Sequence, residues 1–146
     1  MNIFALSKEV KEILYDDIQI GDQAEITKLV TAEDIERFAE LSGDVNPIHL
    51  LDEFAKESLF KERIAHGSLA SSYISTILGT KLPGKNTIYL SQQVSFKAPV
   101  KIGDELTVIA TVLSKRDDKR IITLSTNVNN QREELVVEGT AVVKKL

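Results

Sequence analysis

Apolar residues recur along this chain in two rhythms, and the change from one to the other divides it. The first half is helical in spacing. Leu6, Val10, Ile13 and Leu14 fall at i, i+4, i+7 and i+8, the stripe of a short amphipathic helix. A turn at Gly21-Asp22 precedes a strand built on Ala24, Ile26 and Leu29 or Val30. Thr31 then stands as N-cap of a second helix, with Asp34 three residues on in an imperfect capping box. Ile35, Phe38, Ala39 and Leu41 form its inward face, and Ser42-Gly43 ends it, since Gly supplies the left-handed conformation that closes helices. Asn46-Pro47 marks a turn, and residues 52–60 predict a short helix. Gly67 to Leu78 predicts a longer one, with Leu69, Tyr73 or Ile74, Ile77 and Leu78 facing inward. It carries no charged residue, which predicts burial nearly all round.

The second half alternates with period two. Residues 86–97, 105–115, 120–129 and 134–144 are rich in Val, Ile and Thr. Leu106, Val108, Ala110 and Val112 share one face of the second stretch; Ile122, Leu124, Thr126 and Val128 share one face of the third. The gaps are short and hold Pro99, Gly103, Asp117-Asp118 and Asn129-Asn130. This predicts a four-strand antiparallel meander. One apolar helix followed by four long strands is an α+β layout, a curved sheet around a central helix.

Composition narrows the chemistry. The 146 residues suit one domain. There is no Cys, which excludes thiol nucleophiles, disulfides and Cys-ligated metals. His49 and His66 are the only two histidines, so a three-His metal site within one chain is excluded. A net charge of −4, no basic tract and no Trp argue against nucleic acid. No apolar run approaches the roughly 20 residues that span a membrane, and the N-terminus lacks the apolar core of a secretory signal. A cytoplasmic location is the expectation.

The charge-free helix directs attention to the polar groups before it. The segment DVNPIH places Asp44 and His49 five residues apart across a Pro turn. A carboxylate and an imidazole can share one water, one group taking its proton and the other delivering a proton to substrate. Both residues also have ordinary roles, as a helix-end cap and a hydrogen-bonded loop residue. Gly67 opens the apolar helix, where unpaired amides and the helix dipole can stabilise an oxygen gaining negative charge. Tight packing of the helix start is the alternative for that Gly. Ser75, two turns in, is placed to reach a polar neighbour such as Asp44, or to bond back to its own helix. His66 reads as structural.

SGDVNPIHLLDEFAKES, ERIAHGSLASS and LPGKNTIYLSQQVSFKAPVKIGDEL together resemble the MaoC-like, R-specific enoyl-CoA hydratases. The short bacterial form that supplies (R)-3-hydroxyacyl-CoA for polyhydroxyalkanoate synthesis is the most similar. The resemblance spans residues 18–144 and implies a hot-dog fold, an antiparallel sheet wrapped around a long central helix. The chain then divides into a helical extension, 1–17, and a single MaoC-like domain, 18–146. The implied reaction is reversible syn hydration of trans-2-enoyl-CoA, with no metal and no cofactor beyond the CoA of the substrate. Asp44 and His49 match the family's catalytic pair, and the Gly67 amide its donor to the thioester carbonyl. Ser75 matches a serine near the catalytic Asp, and Leu78 and Val143 match acyl-pocket positions. The resemblance also implies a homodimer, or a higher oligomer built from dimers. A (3R)-hydroxyacyl-ACP dehydratase, a thioesterase and a non-catalytic acyl-CoA-binding protein remain as alternatives. Members of the first two groups often carry an acidic residue on the central helix, and residues 67–80 contain none.

Overall fold

The computed structural model describes residues 1–146. Its central element is α5 (Gly67–Thr80), and the strands that cover it are β1 (Gln23–Leu29), β2 (Thr87–Phe96), β3 (Glu105–Arg116), β4 (Ile121–Asn129) and β5 (Leu135–Lys145). They form one sheet in the order β1-β3-β4-β5-β2, antiparallel throughout. The alternation sets which face turns inward. Leu106, Val108, Ala110 and Val112 of β3 and Ile122, Leu124 and Val128 of β4 are buried against Leu69, Tyr73, Ile74, Ile77 and Leu78 of α5. This is the predicted α+β hot-dog arrangement.

Several predictions require correction, the first of them the meander. The meander runs over three strands only, β3 to β5, because β2 pairs with β5 at the far edge. After β2 the chain does not turn back on itself. It passes Pro99, which has no N–H to continue a ladder, and bonds instead to the segment before α5. Ala65 N–H donates to the Val100 carbonyl at 2.7 Å, and Ile64 bridges to Lys101. β3 therefore begins on the other side of the sheet, between β1 and β4.

The second correction concerns α5, which is not buried all round within one chain. Leu69, Ala70, Ser71, Tyr73, Ile74, Ile77 and Leu78 are buried, while Gly67, Ser68, Ser72, Ser75, Thr76, Gly79 and Thr80 face outward. The exposed face is uncharged but polar.

The smaller helices place the loops. In α2 (Ala32–Ser42), Thr31 and Asp34 form a reciprocal capping box with both bonds at 3.1 Å. Gly43 ends the helix at φ 79°, its N–H donating to the Ala39 carbonyl. One-turn α3 (Pro47–Leu50) follows, capped by the Asn46 side chain, and α4 (Asp52–Lys56) is shorter than the predicted 52–60.

At the N-terminus, α1 covers only Ile3–Lys8. The apolar stripe predicts helix as far as Leu14, but residues 9–18 are drawn into the body instead. Ile13 N–H donates to the Pro83 carbonyl and Lys85 N–H to the Lys11 carbonyl, both at 2.9 Å. Tyr15 and Ile18 are buried in the core. Backbone bonds to another segment outcompete a short helix, which is marginal by itself.

Candidate active site

The turn at Gly43 that ends α2 and the turn at Asn46 that begins α3 are three residues apart, and they present Asp44 and His49 to the same place. Pro47 is preorganised for the first helical position, and Asn46 stays extended at φ −53°, ψ 127°. That abrupt entry puts His49 on the inner side of α3, where it is buried, while Asp44 remains in the exposed loop. The Asp44 carboxylate accepts the Asn46 amide at 3.2 Å. One ligand-type atom from each of Asp44, His49 and His66 lies within 4.8 Å of the others. That spacing allows one water to touch both the carboxylate and the imidazole.

The partner of His49 decides its tautomer. Its Nδ1 lies 2.7 Å from the Ile64 carbonyl oxygen, which can only accept. Nδ1 therefore carries the proton and Nε2 offers a lone pair. Stacked on this ring is His66, with centroids 3.8 Å apart and planes at 27°. His66 reads as structural in the sequence, yet it touches both members of the acid–base pair. The signal available for it was its position directly before Gly67.

Gly67 is the first residue of α5, where a helix leaves amides without intrahelical acceptors and the dipole is positive. It lines an apolar cavity of about 510 Å³ together with Ala65, Ala70, Phe96, Val100 and Val137. The Phe96 ring stands over it, since a Cβ at Gly67 would meet Phe96 Cε1 at 3.0 Å. Both sequence readings of this Gly, tight packing and access to a ligand, thus describe the same position.

The other candidate residues are placed differently. Ser75 lies on the exposed face of α5, and no hydrogen bond joins it to Asp44. Leu78 and Val143 are sealed in the core at 1% and 0% exposure. Neither lines the 510 Å³ cavity, nor do Asp44 and His49; of the six candidates only Gly67 does.

A model of the MaoC-like domain family matches residues 18–134. An (R)-specific enoyl-CoA hydratase from Rhodospirillum rubrum is 42% identical over 129 residues, covering 88% of this chain and 89% of that protein. Among solved structures, an R-hydratase from Pseudomonas aeruginosa superposes with a TM-score of 0.89 at 42% identity, covering 94% of this chain and 89% of that one. An (R)-hydratase from Aeromonas caviae involved in PHA biosynthesis gives a TM-score of 0.86 at 44% identity, covering 88% and 98%. With the sheet, the charge-free central helix and these matches in place, the chain belongs to the MaoC-like domain family.

Proposed function

We propose that this protein is an (R)-specific enoyl-CoA hydratase, a hydro-lyase that adds water reversibly and syn to trans-2-enoyl-CoA to give (3R)-3-hydroxyacyl-CoA. The observation that carries the reading is the approach of the Asp44 carboxylate and the His49 imidazole to within 4.8 Å, beside the amide that opens a helix without charge. Similarity to (R)-specific hydratases over most of the chain supports it.

The chemistry follows from the groups present. Asp44 and His49 Nε2 hold one water. Its oxygen attacks C3 of the enoyl thioester as a proton leaves to the pair. Electron density moves to the thioester oxygen, where the Gly67 N–H and the helix dipole oppose it. The proton returns to C2 on the face from which water came, so the addition is syn and the atoms of water are conserved. The step is redox-neutral, and a backbone amide does the polarising. We therefore assign no cofactor beyond the CoA of the substrate.

A homodimer fits the surfaces. β2 is a free sheet edge with Ile88, Leu90 and Phe96 exposed, and open edges of this kind invite pairing. The polar, uncharged face of α5 is suited to burial under a second copy. No helix is long and apolar enough to cross a membrane, which agrees with a cytoplasmic enzyme acting on a diffusible thioester. We assign short to medium acyl chains and supply of (R)-3-hydroxyacyl-CoA to polyhydroxyalkanoate synthesis.

The test is loss of enoyl absorbance when purified protein meets crotonyl-CoA, followed by chiral assignment of the product. A (3R) product is expected. An (S) product, or no turnover of enoyl-CoA at any chain length, removes the assignment. Release of free CoA would point to a thioesterase, and equal turnover of acyl-ACP substrates to a dehydratase.

A further inference from the structure

We propose that His66 is a positioning residue that holds Asp44 and His49 in register with the Gly67 amide. The inference rests on the hydratase reading above.

His66 is 2% exposed and makes contacts in three directions. Its Nε2–H donates to the backbone carbonyl of Asp44 at 2.9 Å. One side of its ring stacks on His49. Phe38 of α2 packs against it with centroids 4.8 Å apart and planes at 57°. Its own carbonyl accepts the amides of Leu69 and Ala70 at 3.1 and 3.3 Å, which sets the first turn of α5. Gly67 follows it directly in the chain. One residue thus connects the carboxylate loop, the imidazole and the helix start.

The connection matters most for Asp44. Its other hydrogen bonds are local, from its amide to Ser42 Oγ at 3.1 Å and from the Asn46 amide to its carboxylate. The bond to His66 spans 22 residues and ties the loop to α5. A packing role alone would favour an apolar ring here. His66 Nδ1 is buried with no hydrogen-bond partner, a cost that Phe would avoid. What His supplies and Phe lacks is the Nε2–H. His49 can keep its own orientation through Ile64, so loss of His66 acts chiefly through Asp44.

Two measurements test this. Nitrogen NMR reads the tautomers of the only two imidazoles, and the expected pattern is His66 protonated at Nε2 and His49 at Nδ1. His66 protonated at Nδ1 overturns the inference whether or not the protein hydrates enoyl-CoA. An inactive wild type would remove the hydratase reading and leave this readout standing. In the kinetic arm, a misplacement of about 1 Å at a reacting group costs about 100-fold, so His66→Phe should lose about that much kcat. KM should stay within about threefold, because substrate binding is untouched in this account. His66→Gln restores a donor of similar reach and should recover about tenfold of the loss. Folded His66→Phe with wild-type kcat, or a loss carried entirely by KM, overturns the proposal. Should His66→Phe fail to fold, His66→Asn takes its place, its shorter amide falling short of the Asp44 carbonyl. His66→Gln then exceeds His66→Asn in kcat, and equality of the two overturns the assignment.

Discussion

The Nδ1–H of His49 donates to the carbonyl oxygen of Ile64 at 2.7 Å. This single bond orients the ring and leaves Nε2 as the nitrogen free to accept. His49→Asn keeps an N–H near the Nδ1 position while removing Nε2. Its fold should persist and its kcat should fall by about 10²–10⁴, the usual worth of an acid–base group. Asp44→Asn should lose a similar factor. Circular dichroism alongside hydration kinetics checks both, and near-full activity in both variants would show that the pair is misassigned.

Gly67 permits a substitution that deletes one hydrogen. It is the first residue of α5 and His66 before it is extended at φ −59°, ψ 136°, a conformation compatible with a following Pro. Gly67→Pro removes the N–H while leaving the helix start acceptable. Loss of one oxyanion donor typically costs about 10²–10³ in kcat, and that range is expected here. Gly67→Ala is the control for bulk, because its Cβ meets only the half-exposed Phe96 ring. If the two variants lose activity equally, bulk and not the N–H is responsible.

Leu78 tests whether the buried end of α5 forms part of the acyl site. Truncation of a sealed core Leu costs about 2–5 kcal/mol, so Leu78→Ala should melt markedly earlier. If acyl chains reach this position, the same variant should shift its preference toward longer enoyl-CoA. Unchanged chain-length selectivity in folded variant would confine Leu78 to the core.

The N-terminal strap carries a pH-dependent contact. Lys145 is almost fully buried and pairs with Glu12, which also accepts from Asn86 Nδ2 at 3.0 Å. The hydrogen bond from Lys145, then that from Asn86, holds the Glu12 carboxyl below its ordinary 4.5. A carboxyl depressed by folding stabilises fully above its unfolded pKa, and that contribution fades as pH falls through the lower folded value. Glu12→Gln should therefore lower the melting temperature at neutral pH. The gap from wild type should shrink below pH 4.5. A gap that is constant down to acid unfolding would show that the ion pair contributes nothing.

All three tyrosines should titrate abnormally. Burial, then the hydrogen bond to Asp117, pushes Tyr15 up to about 12. Burial, then the charge of Asp34, pushes Tyr73 to about 12, and burial raises Tyr89. Folding favours the neutral phenols, so their contribution is full below the ordinary 10 and is lost as pH rises through the folded values. Tyrosinate absorbance should stay low at pH 10 in native protein. About half of the full three-tyrosine signal there, as ordinary phenols of pKa 10 would give, with circular dichroism unchanged, would contradict the burial.

Much of this molecule follows from short stretches of sequence. Alternation in β3 and β4 names the buried residues one by one, and Thr31, Asp34 and Gly43 mark the ends of α2. These signals are legible because each depends on neighbours a few residues apart. The stripe from Leu6 to Leu14 misleads for the complementary reason. Periodicity reports what a segment would bury as a helix, and not that Pro83 and Lys85 compete for its backbone.

The sequence by itself determined the α+β class, the charge-free central helix and the chemical identity of the acid–base candidates Asp44 and His49, which one Pro turn presents together. Tertiary structure alone decided that β2 joins β5, that half of α5 faces outward, and that His66 meets Asp44 across 22 residues. Patterns of polarity state that a face must be covered. Which segment covers it, and which buried nitrogen meets which carbonyl, is settled by packing among residues far apart in the chain.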